Sequence, residues 1–286
     1  MKIRAHETFC IRKGWLHKGV KNIQSNSRLF TNKTINPCDL LGIGTNMVKS
    51  LRYWLNVVDV MEEVSEGSQK IQRLTAFGEM IDQYDKYYEE DGTNWLIHYK
   101  LASNENNATA WYWFFNKFNS ISFDKSFFVS EFLEFLKTTY EYDGSVKMLE
   151  DEFDCIIKTY CSKDKDYNPE ETNECPLVDL KIIENCGDKT FRKLNPDKEA
   201  IHPLVVFAVI SDRFDKEEIL ISDLLEQDFS VGKIFNLDKT VLYYILEQLE
   251  KRNYIDIART AGLDVIKIKR KMSFLEAVEE YYHNIG

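Results

Sequence analysis

The chain has 286 residues, a net charge of −10, 44% hydrophobic and 13% aromatic residues. This length holds two or three domains with a sizeable core, and this composition excludes a disordered chain. No apolar run approaches the roughly 20 residues of a membrane helix, and the segment Met1-Lys-Ile-Arg-Ala-His6 lacks the apolar stretch of a signal peptide, so a cytoplasmic protein with no membrane partner is expected.

The charge is unevenly spread. Residues 1–58 carry ten Lys/Arg against two Asp/Glu, a net of +8, which leaves −18 on the remainder. A basic head on an acidic body concentrates phosphate attraction in one place.

Residues 1–10 read as an extended arm. Residues 12–24 form a first helix, with Trp15, Leu16, Val20 and Ile23 inward. Asn36-Pro37 starts a short second helix over 37–42, because Pro suits the first helical position. Gly42-Ile-Gly44 supplies a tight turn, and residues 45–58 form a third helix. Val48, Leu51, Leu55 and Val58 make its apolar face at 3.6-residue spacing. Thr45 or Asn46 is expected to cap it. Two extended pieces around Gly67-Ser68 follow, within residues 59–74, with the length of a β-wing. Residues 1–75 therefore read as a winged helix-turn-helix domain that binds double-stranded DNA. Its candidate contacts are Arg12, Lys13, Lys18, Asn46, Lys49, Ser50, Arg52 and Tyr53. Lys49 and Arg12 are assigned mainly to phosphates, and Asn46, Ser50 and Tyr53 to base edges.

Residues 76–200 read as a helical middle domain. Segments 93–101, 108–118, 127–140 and 146–160 are its helices, their dense aromatics serving as core, and residues 162–174 are a loop. Residues 201–286 read as a second winged helix: helices over 204–210, 217–227 and 239–252, a turn at 230–237, a hairpin of 254–257 and 263–268 around Thr260-Ala-Gly262, and a last helix over 273–284. Its third helix exposes Tyr243, Tyr244 and Gln248 with little basic charge. That composition suits a protein partner or a homodimer contact. The expected class is mainly α (α+β).

Three motif groups, Ala5-His-Glu-Thr-Phe9, Arg12-Lys-Gly-Trp-Leu16 and Gly42-Ile-Gly-Thr-Asn-Met-Val-Lys-Ser50, resemble a bacterial domain-of-unknown-function family. That family opens with HETF-x2-RKGWL and continues with LGxGxNMVxSxRYW. Segments 95–99, 111–116, 175–177 and 260–263 resemble its later motifs. Such proteins are often encoded near PAPS-reductase-like genes in islands for DNA modification and phage defence. The resemblance implies that context and no mechanism.

Nothing points to catalysis. Gly42-x-Gly44 lacks a Walker lysine, so it is no phosphate-cradling loop. His6 and Glu7, adjacent in an extended segment, would face opposite ways. The acids Glu150, Asp151, Glu152 and Asp154, like Glu89, Glu90 and Asp91, read as solvated faces. Cys155, Cys161, Cys175 and Cys186 are spaced C-x5-C-x13-C-x10-C, too loosely for a zinc knuckle. No metal, cofactor or catalytic residue is expected. The functional expectation is a DNA-binding component or regulator of a defence or modification system, the alternative an assembly adaptor whose winged helices bind proteins.

Overall fold

The computed structural model describes residues 1–32, 34–161, 175–260 and 263–285. Three helices open it: α1 (Trp15–Ser25), α2 (Pro37–Leu41) and α3 (Thr45–Val57). Val48, Leu51, Leu55 and Val58 are all buried, as the periodicity requires. The antiparallel hairpin β1 (Met61–Glu66) and β2 (Gln69–Leu74) follows, turning at Gly67, whose φ of 61° favours glycine.

Helices α4 (Ala76–Tyr84), α5 (Asp91–Ala102) and α6 (Thr109–Asn116) come next, then strand β3 (Ser122–Asp124) and helices α7 (Lys125–Tyr140) and α8 (Val146–Tyr160). A 3-10 turn over Pro176–Leu180 leads to strands β4 (Ile183–Gly187) and β5 (Thr190–Lys193). The middle segment is therefore not purely helical: β3, β5 and β4 form an antiparallel sheet in that order. Its strands have three to five residues, too short for the alternation that marks a strand in sequence. The aromatics are core as expected, with Trp95, Tyr99, Trp111, Phe114 and Phe115 buried. The expected loop at 162–174 lies outside the described residues.

The last third runs α9 (Pro203–Arg213), β6 (Glu218–Leu220), α10 (Ile221–Glu226), α11 (Val231–Ile234), α12 (Lys239–Lys251), β7 (Ile255–Thr260), β8 (Leu263–Ile268) and α13 (Phe274–Ile285). Two elements differ from the expectation. The helix expected over 217–227 begins only at Ile221, because residues 218–220 pair with β8 as a third strand. The turn expected at 230–237 contains the short α11. The hairpin is present, while the turn residues Ala261 and Gly262 lie outside the described residues.

The expected domain limits at 75/76 and 200/201 do not separate the core. Buried residues form one continuous cluster from Ile11 to Tyr282. Phe274 of α13 meets Phe77 of α4 at 5.6 Å between ring centres, and Lys100 of α5 sits 4.1 Å over the Phe274 ring. No described helix is long and apolar enough to cross a membrane.

Candidate nucleic-acid interface

The α2–α3 turn is built by its cap residues. Asn36 accepts the Cys38 N–H at 3.1 Å, and Pro37 occupies the first turn of α2. Gly42 ends α2 at φ 62°. The N-cap of α3 is Gly44, which has no side chain to cap with. The expected cap by Thr45 or Asn46 is thus not made: both lie inside the first turn, exposed. Asn46 turns outward beside Lys49, whose Nζ is 3.5 Å from its Oδ1.

Residues 1–10 are not extended. They fold through turns in which Arg4, Glu7 and Thr8 are left-handed, with φ of 60°, 51° and 68°. Buried anchors hold this strained arm. His6 and Glu152 of α8 are both buried, with Nε2 and Oε2 3.3 Å apart. His6 Nδ1 accepts the Thr8 N–H at 3.1 Å, so in neutral His6 the proton sits on Nε2, toward the carboxylate. Glu152 also accepts the Arg4 N–H, and Arg4 Nε pairs with Asp151 at 2.7 Å. Glu152 was expected on a solvated face; it is buried because the arm covers it. At the arm's other end, the Phe9 carbonyl accepts from Trp54 Nε1 at 2.9 Å and Ser50 Oγ at 3.4 Å.

The folded arm decides which candidates face solvent. Ser50 is buried against it, so it cannot meet a base edge. Tyr53 is half-buried and donates to the Asn107 carbonyl at 3.0 Å. Burial pushes its phenol well up in pKa, and Glu152 and Cys155 add to that. Assignment of these two side chains to base contacts is therefore corrected: they lie on the flank of α3 that the arm covers. Arg52 makes a two-bond pair with Glu63 of β1, at 2.6 and 2.8 Å. Burial would raise the Glu63 carboxyl, but Arg52, helped by Gln72 and Lys70, holds it below its ordinary value. Arg12 lies over the rings of Phe9 and Trp15, at 5.5 and 5.3 Å. Lys18 Nζ donates to the Leu41 carbonyl at 3.2 Å, at the C-terminus of α2. Lys13 is exposed. Lys49, also exposed, is 3.9 Å from Glu7 of the arm. The outward set at the first turns of α3 is Thr45, Asn46 and Lys49.

These motifs lie in one continuous family match. A family model described as "Protein of unknown function (DUF4007)" matches residues 3–282. The chain belongs to this family. Two solved structures are similar across nearly all of it: a magnesium ion-bound SspB crystal structure, with a TM-score of 0.88, and an SspB crystal structure, with 0.87. Each is 20% identical, covering 99% of this chain and 88% of the other, so the likeness concerns the fold alone. No match was found among curated proteins.

In this family member the other candidate surface lies on α12. Tyr243 is half-buried and hydrogen-bonds Asp264 of β8, with Arg259 5.7 Å from its ring. Tyr244 and Gln248 instead line a groove of about 390 Å³ with Arg252, His202 and Tyr281. Lys198 lies 5.1 Å over the Tyr244 ring, and Tyr244 Oη is 3.5 Å from Glu199. Among the described residues no cluster of His, Cys, Asp and Glu could hold a metal. Cys155 and Cys175 are buried, and burial pushes both thiols well up.

Proposed function

We propose that the protein binds double-stranded DNA through residues 1–75, read as a winged helix, and serves as a non-catalytic component or regulator of a bacterial DNA-modification or phage-defence system. One observation carries the reading. The first turns of the 13-residue α3 present Asn46 and Lys49 to solvent, past a helix N-terminus with no side-chain cap, on the basic part of an acidic protein. Helix-turn-helix proteins put the N-terminal residues of their second helix against base edges, and free N–H groups there attract phosphate. The system is named from the resemblance to a family encoded near PAPS-reductase-like genes.

Titration of a labelled duplex with the full chain over a range of salt tests this. Binding should weaken steeply with salt, and Lys49→Ala should flatten the slope by about one unit on every sequence. Binding and salt slope unchanged by Lys49→Ala would refute the assignment. The non-catalytic part has its own test, chosen because one similar structure carries magnesium. Supercoiled plasmid incubated with the protein and magnesium should stay supercoiled; nicked circles absent from a no-protein control would refute it.

A second reading, an adaptor that binds a protein or a second copy of this chain, draws on the α12 groove. Tyr244 is a half-exposed aromatic anchor there, of the kind that dominates protein interfaces. Tyr244→Ala should loosen such an association by roughly 2 kcal/mol in sedimentation. A wild type that stays monomeric with every candidate partner would remove this reading.

A further inference from the structure

Lys70 and Arg28, which lie outside α3, stand at the tip of the β1–β2 hairpin. The loop after α1 is stitched to β2 by four hydrogen bonds. Gln72 N donates to the Ser27 carbonyl at 2.6 Å, and Phe30 N to Gln72 Oε1 at 3.1 Å. Thr31 Oγ1 donates to the Lys70 carbonyl at 2.6 Å, and Arg28 Nη1 to Gln69 Oε1 at 2.6 Å. The loop is thereby fixed, and it holds the Arg28 guanidinium against the hairpin tip.

Strand register gives the direction of Lys70. Glu63 pairs with Gln72 and Ser65 with Lys70, and side chains two apart along a strand share a face. Lys70 therefore lies on the hairpin face that carries Glu63, where Arg52 of α3 attaches. The charge of Lys70 is felt at Glu63. The exposed cations thus continue from Lys49 past the neutralised Arg52 to Lys70.

Pairing separates this hairpin from the second one. In the C-terminal segment Lys267 faces Glu218 at 2.6 Å, Lys269 faces Asp256 at 3.0 Å, and Arg259, Arg270 and Lys271 each have a carboxylate within 3.9 Å. Among the described residues, Lys70 and Arg28 are exposed and neither has an ion-pair partner. An exposed cation with no carboxylate within ion-pair distance is available to a phosphate.

We propose that Lys70 and Arg28 form a second contact region for the DNA backbone, apart from α3, each holding one phosphate on the hairpin side of the duplex. This rests on the reading of residues 1–75 as a duplex-binding unit. The pair would position the duplex without reading its sequence, because phosphates carry no base information.

The test uses the full chain and one labelled duplex. The variants are wild type, Lys49→Ala, Lys70→Gln, and Arg28→Gln with Lys70→Gln. Glutamine keeps hydrogen-bonding ability while removing charge, and Lys70→Gln alone disturbs no side-chain bond. Each phosphate contact contributes about 0.9 to the slope of log K against log salt. Lys70→Gln should flatten the slope by about one unit with unchanged melting temperature, and the double variant by about two, both equally on unrelated sequences. If the wild type binds with steep salt dependence and Lys49→Ala weakens it, while the glutamine variants match wild type, the hairpin contact is wrong and the α3 reading stands. A wild type that binds no duplex overturns both.

Discussion

His98 shows one buried polar side chain held in a single protonation state. It is fully buried in α5, with Nδ1 2.7 Å from Tyr160 Oη and Nε2 2.8 Å from the Ile234 carbonyl. The carbonyl only accepts, so Nε2 carries the proton and Nδ1 accepts from the tyrosine. Burial lowers the pKa to about 4, against 6.5 for the free side chain. The unfolded chain therefore takes up a proton first as pH falls. The stabilisation from neutral His98 is complete above about 6.5 and is lost between 6.5 and 4, about 3 kcal/mol in all. His202, half-buried and also lowered to about 4 by burial and Arg252, acts in the same direction. His98→Gln should shrink the drop in melting temperature between pH 7 and pH 4.5; a drop as large as wild type's would contradict this. Glu7 offers a second residue-scale prediction. It stands 3.9 Å from Lys49 and would compete with a bound phosphate for it, so Glu7→Gln should tighten duplex binding and steepen the salt slope. Weaker binding by Glu7→Gln would contradict that. The burial of Val48 and Leu51 was legible in the sequence, because it follows from helical spacing alone. That of Ser50 and Tyr53 was not, because it depends on an arm anchored about a hundred residues away, at Glu152 of α8.

Among elements, long periodic helices were legible and short strands were not. The bounds of α8 match the reading residue for residue, and those of α3 differ by one, because their apolar stripes run for several turns. Strands β3 and β6 have three residues each and give no alternation to read. The close approach of α4 to the start of the hairpin was invisible too. A Cβ on Gly78 would lie 2.1 Å from the Val60 carbonyl oxygen, a backbone atom with little freedom to move. Gly78→Ala should cost roughly 1–3 kcal/mol or more and lower the melting temperature accordingly. Gly44, with φ of −68° and nothing within 4 Å of an added Cβ, should tolerate Ala with little change. Equal melting temperatures for the two variants would show that the α4 contact is looser than described.

Across the whole molecule, charge asymmetry and continuous packing act together. The composition made the first legible: +8 on residues 1–58 and −18 elsewhere. The second was not, because the sequence divides at changes in pattern, while α13 returns to pack on α9 and α4 and the arm returns to α8. The basic surface is thus mounted on an acidic body, and in the C-terminal segment Arg259, Lys267, Lys269, Arg270 and Lys271 each have a carboxylate within 3.9 Å. Duplex binding should therefore be confined to the N-terminal face. The most direct test is the salt dependence of duplex binding by the intact protein, measured for wild type and Lys49→Ala. The account predicts a steep loss of affinity with salt and a slope about one unit flatter in the variant on every sequence. Binding insensitive to salt, or a variant indistinguishable from wild type, would contradict it.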